Sequence, residues 1–149
     1  ASQIRFFAEA GADLIDFHIE SLSDPEAALR DIRSRGIKSA IAVKPGTPIE
    51  SVYPYLELCD MVLVMTVEPG YGGQAFIPET LEKIRALRKT ADERGLSSLD
   101  IEVDGGINAK TAPLVMEAGA NVLVAGTGLF RAPDMAQADI QLKSQKGEA

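Results

Sequence analysis

An α/β fold with a parallel sheet is predicted from three observations. Helical and strand-like patterns alternate along almost all of the 149 residues. Two strand-like runs, residues 61–67 and 121–125, are apolar apart from Thr66 and Asn121, the pattern of strands covered on both faces. Three runs end in glycine-rich turns: Val67-Glu68-Pro69-Gly70-Tyr71-Gly72-Gly73-Gln74-Ala75-Phe76, Asp104-Gly105-Gly106-Ile107 and Gly126-Thr127-Gly128. A buried parallel strand ending in glycines delivers backbone N–H groups to one rim of the sheet, where α/β proteins take up small phosphorylated metabolites.

The elements follow in order. Ile4, Phe7 and Ala8 open the chain at helical spacing, and Gly11 stands where that helix stops. Residues 14–19 form a first strand whose Asp16 and His18 share one face. Asp24-Pro25-Glu26 places a capping side chain before a first-turn proline, and Leu29 and Ile32 give the helix an apolar face up to Gly36. Residues 38–43 form the second strand. Thr47-Pro48-Ile49-Glu50 matches a capping box, predicting a helix that buries Ile49, Val52 and Leu56. The third strand runs into the longest connection, a candidate lid, before a helix carrying Leu81, Ile84, Leu87 and Ala91.

Gly95 ends that helix. In residues 99–104, Asp100, Glu102 and Asp104 share one face, the pattern of a strand lining a site. Asn108 caps a helix bearing Leu114, Val115 and Ala118, which stops at Gly119. The fifth strand leads to Gly126, Thr127 and a short helical turn at Gly128-Leu129-Phe130; residues 134–149 read as a polar final helix. Ala10-Gly11-Ala12-Asp13-Leu14-Ile15 and Ala118-Gly119-Ala120-Asn121-Val122-Leu123 repeat one stop-and-start grammar. Five strands fit either an open sheet or the later part of a (β/α)₈ barrel, which needs eight. Two open parallel edges favour a homo-oligomer.

Composition narrows the partners. The chain has the 46% hydrophobic and 25% charged residues of a globular domain, and its length suits a single one spanning 1–149. A formal charge of −7 supplies no basic stripe for nucleic acid. The apolar runs are of strand length, short of the roughly 20 residues of a membrane helix. Cys59 is the lone cysteine and no signal peptide opens the chain, so a cytoplasmic setting is expected.

Among residues able to do chemistry, Asp104 is the leading candidate. It ends a strand before Gly105-Gly106, so its carboxylate is placed to exchange a proton or bind a metal at the carboxyl rim; the plainer reading is a turn-stabilising aspartate. Gly70, Gly72 and Gly73 permit a backbone nest around a phosphate or, more simply, a loop. Gly105, Gly106, Gly126 and Thr127 lie on late strands, the usual place for a barrel's phosphate group, and Thr127 adds a hydroxyl. His18, the single histidine, reads as structural rather than a metal ligand. Lys44 reads as solvated or paired rather than a Schiff-base lysine, and Lys83, Arg85, Arg88 and Lys89 as an exposed face.

The string Val64-Met65-Thr66-Val67-Glu68-Pro69-Gly70-Tyr71-Gly72-Gly73-Gln74-Ala75-Phe76-Ile77, followed by Lys83-Ile84-Arg85 and Ile101-Glu102-Val103-Asp104-Gly105-Gly106-Ile107, resembles ribulose-phosphate 3-epimerases. Gly11-Ala12-Asp13, Phe17-His18-Ile19-Glu20 and Val124-Ala125-Gly126-Thr127 fall in the family's order. The resemblance implies a TIM (β/α)₈ barrel of which these residues are about five βα units, strands four to eight, with the first three absent. It implies a divalent metal (Zn²⁺, Fe²⁺, Mn²⁺ or Co²⁺) and interconversion of D-ribulose 5-phosphate and D-xylulose 5-phosphate through two aspartates. Asp104 matches one of these and a metal ligand; the other aspartate, two histidine ligands and a serine come from the first three strands. Gly70, Tyr71, Gly72 and Gly73 match the phosphate-covering loop. Gly105, Gly106, Gly126 and Thr127 match the rest of the cradle, Thr127 standing where serine is common. The alternatives are a non-catalytic half-barrel that binds phosphate or a partner chain, and an epimerase for a hexulose 6-phosphate.

Overall fold

The computed structural model describes residues 2–67, 76–125 and 128–131. Helix α1 spans Ser2–Glu9, β1 Leu14–His18, α2 Pro25–Ser34, β2 Lys38–Val43, β3 Met61–Met65, α3 Thr80–Glu93, β4 Asp100–Asp104, α4 Ala112–Ala118, β5 Val122–Ala125 and β6 Gly128–Arg131. Two 3₁₀ segments, Ile19–Ser21 and Ile49–Leu58, follow β1 and β2. The strands form one sheet in the order β1-β2-β3-β4-β5-β6, parallel up to β5, with β6 antiparallel.

Strand order follows chain order without reversal, and the helices pack on one face. Ile41, Val43, Val62, Val64, Ile101, Val103 and Leu123 are buried in one cluster with Leu29, Leu56, Ile84, Leu87 and Val115. Each such side chain contributes roughly 1.5–3 kcal/mol. A doubly wound sheet would reverse its order at a switch point and carry helices on both faces. A singly wound sheet is a section of a (β/α) barrel wall, its helix-free face the barrel's interior.

Local chemistry explains the helix boundaries. Asp24 caps α2 by accepting the Ala27 N–H at 3.1 Å, with Pro25 in the first turn. Asn108 accepts N–H bonds from Lys110 (2.8 Å) and Thr111 (3.1 Å), while the Thr111 hydroxyl accepts the Asn108 N–H at 2.9 Å. This closes the turn that leads into α4. Gly11, Gly36, Gly95 and Gly119 all take positive φ at the predicted stops.

Four expectations are corrected. Residues 49–58 form a 3₁₀ segment without a side-chain cap, with Pro54 inside it. Proline has no N–H for an α-helical ladder, and the Thr47 hydroxyl is engaged by Glu20 instead of capping. Gly128-Leu129-Phe130 is strand rather than helical turn: it pairs with β5 and covers one of the two expected parallel edges. Strand β3 is apolar throughout but buried on one face, with Met61, Leu63 and Met65 only partly covered because they face the barrel interior. Lys83 and Arg88 are not a free surface. The Lys83 amine meets the Lys44, Pro45 and Thr47 carbonyls, and the Arg88 guanidinium meets those of Gly119 and Leu99 and the Asn121 side chain. The predicted helix over 134–149 lies outside the described residues.

Candidate functional site

Parallel register brings the acidic faces of β1 and β4 onto the same side of the sheet. One row runs Asp16, Ala40, Met61, Asp100, and the next His18, Ala42, Leu63, Glu102, Val122. The row nearest the carboxyl rim is Met65, Asp104, Val124. All lie on the face that carries none of the described helices, opposite the fully buried Val62, Val64, Ile101 and Val103. Burial, and then the charges of Asp16, Asp104 and Asp100, push the Glu102 carboxyl up to about 7. The interior wall is thus acidic, with Asp104 at its upper end.

Asp104 is the last residue of β4 and is partly covered. Its backbone carbonyl accepts the Thr66 N–H at 3.0 Å and the Thr66 hydroxyl at 3.1 Å. That hydroxyl also reaches the Gly105 carbonyl. Gly105 and Gly106 follow with φ of 118° and 70°. A Cβ on Gly105 would stand 2.5 Å from Val67 Cγ2, and one on Gly106 2.8 Å from the Phe76 backbone. Both positions demand glycine by conformation and by space. The Thr111 hydroxyl then donates to the Gly106 carbonyl at 2.7 Å, tying the turn to the start of α4.

Val67 and Phe76 bracket the glycine-rich loop, so the double glycine after β4 packs against the two ends of that connection. The structure therefore brings Asp104, Gly105 and Gly106 together at the carboxyl rim. Gly70, Tyr71, Gly72, Gly73, Gly126 and Thr127 lie outside the described residues.

A second rim cluster follows β1 and β2. Glu20 accepts the Lys44 N–H at 3.2 Å and the Thr47 hydroxyl. Burial opposes ionisation of Glu20, but the hydrogen bonds from Thr47 and from backbone amides outweigh it and hold the carboxyl below its usual range. His18 Nδ1 is buried without a hydrogen-bond partner, 3.7 Å from Glu20 Oε1. At the other end of the sheet, burial pushes the Cys59 thiol up to about 12, an unreactive form.

Sequence reasoning missed Thr66, Thr47, Glu20 and Lys83 as rim-organising groups. Thr66 carries a partial signal, a lone hydroxyl directly after an apolar strand; its full burial, which obliges it to find a partner, is seen only in the structure. Lys83 carries none, because its acceptors lie 36 to 39 residues away.

A singly wound parallel sheet with an acid and a double glycine at its carboxyl rim defines the class: a section of a (β/α) barrel, the fold whose sites sit at that rim. The model of the ribulose-phosphate 3 epimerase family matches residues 2–130, and the chain belongs to this family. It is 49% identical over 146 residues to a ribulose-phosphate 3-epimerase of Mycobacterium tuberculosis, covering 96% of this chain and 62% of the relative. Against the Bacillus subtilis enzyme of the same name it is 42% identical over 143 residues, covering 96% and 66%. The chain thus spans a little over three fifths of these relatives' length. A crystal structure of 3-hexulose-6-phosphate synthase shares the fold, with a TM-score of 0.62 at 20% identity over 96% of this chain and 66% of that one.

Proposed function

We propose that this protein is a ribulose-phosphate 3-epimerase, interconverting D-ribulose 5-phosphate and D-xylulose 5-phosphate as a step of the pentose phosphate pathway. The observation that carries this reading is the placement of Asp104 beside the Gly105-Gly106 turn, itself wedged between Val67 and Phe76. The proton to be moved lies beside the ketone, and inversion requires an acid–base group on each face of the carbon. Asp104 supplies one of these two groups. The phosphate is held by backbone amides of Gly70, Tyr71, Gly72, Gly73, Gly105, Gly106 and Gly126 and by the Thr127 hydroxyl. Amides suit this task because they offer hydrogen bonds to an anion without adding a charge to be desolvated.

Members of the family take a divalent metal in general. Among the described residues, no group of three or more His, Cys, Asp or Glu side chains is arranged to hold one. The described part of the chain therefore does not make a complete metal site. Asp104 is proposed as a single ligand, with Zn²⁺, Fe²⁺, Mn²⁺ and Co²⁺ as the candidate ions.

The same reading places the protein in the cytoplasm as a homo-oligomer acting on a small phosphorylated ketose. Among the described residues, no helix is long and apolar enough to cross a membrane. Among the described residues no strand pairs with the outer edge of β1, an edge on which a further strand can add.

The test is turnover of ribulose 5-phosphate with each added metal, alongside a hexulose 6-phosphate. Epimerisation of the pentulose that Asp104→Asn abolishes supports the reading. Preference for the hexulose replaces the substrate. Phosphate binding without turnover under every metal leaves the non-catalytic barrel section.

A further inference from the structure

We propose that Thr66 is a positioning residue that aims the Gly105 and Gly106 amides at the carboxyl rim. This inference rests on the phosphate role proposed for those amides. Thr66 is fully buried at the end of β3 and is one of three buried polar residues among those described. Its own N–H already donates to the Asp104 carbonyl at 3.0 Å, as a neighbouring strand would require whatever the side chain. The hydroxyl does something the ladder does not: it reaches one residue further, to the Gly105 carbonyl, while also lying 3.1 Å from that of Asp104.

The consequence follows from peptide geometry. No described peptide bond is cis, so the C=O and N–H of one unit point in opposite directions. Turning the Asp104 carbonyl toward Thr66 turns the Gly105 N–H away from it. Turning the Gly105 carbonyl toward Thr66 does the same for the Gly106 N–H. Gly105 and Gly106 lack the Cβ that would restrict their peptide planes and sit at positive φ, so an external hydrogen bond can set the orientation.

Thr66 also fixes the far side of the loop. Its carbonyl accepts the Ile77 N–H at 2.8 Å, and the Ile77 carbonyl accepts the Thr80 hydroxyl at 2.6 Å at the start of α3. One residue thus holds both the turn after β4 and the returning end of the glycine-rich connection. A valine here keeps the shape and the ladder bond but lacks the donor that orients the turn.

The experiment uses the 149-residue chain with Thr66→Val, Thr66→Ser and, as a control at the opposite rim, Ser39→Ala. Ser39 is equally buried and its hydroxyl donates to the Leu58 carbonyl. Inorganic phosphate is titrated while the backbone amide signals of Gly105 and Gly106 are followed by NMR. Thr66→Val is expected to weaken phosphate about tenfold, the scale of losing an orienting partner behind a ligand, with Thr66→Ser close to wild type. Ser39→Ala is expected to leave the affinity unchanged. Wild-type affinity in Thr66→Val, or a loss matched by Ser39→Ala, overturns the proposal. If the unmodified chain binds no phosphate, the phosphate reading of the rim fails by itself. Thr66 is then judged by the orientation of the Gly105 and Gly106 N–H bonds, read from residual dipolar couplings. A reorientation in Thr66→Val alone supports the positioning role, and unchanged couplings overturn it.

Discussion

Gly106 and Phe76 meet backbone to backbone, so closely that a single added methyl on the glycine would lie 2.8 Å from the Phe76 Cα. The turn beside Asp104 and the end of the glycine-rich connection are therefore one packed unit. Gly106→Ala is expected to lose about 2–4 kcal/mol, from a positive-φ residue gaining a Cβ and from the overlap. Gly46→Ala meets open space at ordinary φ and is expected to stay within about 0.5 kcal/mol of wild type. Urea unfolding of the two variants checks the contrast.

Asp104→Asn is expected to reduce epimerisation by about 10²- to 10⁴-fold, the range for a positioned acid–base group. Phosphate affinity should remain close to wild type, because amides rather than this carboxylate are proposed to hold the anion. Steady-state kinetics paired with phosphate titration checks both halves. Loss of binding with unchanged folding would reassign Asp104 to the cradle.

Glu102 makes stability depend on pH. Its folded value of about 7 stands above the ordinary 4.5, so between these values the folded chain holds the proton more tightly than the unfolded one. Stability should therefore fall as pH rises from about 4.5 to about 7 and stay lower above it. Glu102→Gln should flatten this slope and unfold at higher urea than wild type at pH 8. Midpoints at pH 5 and pH 8 decide the matter.

Arg88 and Arg85 lie one turn apart on α3 and should behave differently. Arg88 donates to the Gly119 carbonyl at 3.0 Å and the Leu99 carbonyl at 2.9 Å, both near the starts of strands. Arg88→Met is expected to lose about 2–3 kcal/mol, as buried acceptors lose a charged donor. Arg85 pairs with Glu82, a side chain 80% exposed, and Arg85→Met should change stability by less than about 0.5 kcal/mol. Thermal or urea denaturation of both checks this.

The strands were legible in the sequence because their cause is local. Ile101 and Val103 alternate with Asp100, Glu102 and Asp104, and that alternation alone separates the core face from the interior face. Asp24 and the helix-stopping glycines were legible for the same reason. The second-strand connection was not: Thr47 has a capping-box partner at Glu50 three residues on, but Glu20, 27 residues away, competes for its hydroxyl and wins. Arg88 and Lys83 looked like surface charges because their acceptors are main-chain carbonyls, which leave no trace in residue identity. At the site, Asp104 and the double glycine could be read from their place at a strand end. Thr66 could not be given its role, since that depends on β3 and β4 lying side by side.

Lys83 and Arg88 grip opposite ends of the sheet from a single helix, the first at the turn beyond β2 and the second at the entries to β4 and β5. Helix α3 is consequently a strut rather than a cover. Sliding it by a turn along the sheet would break both anchors at once.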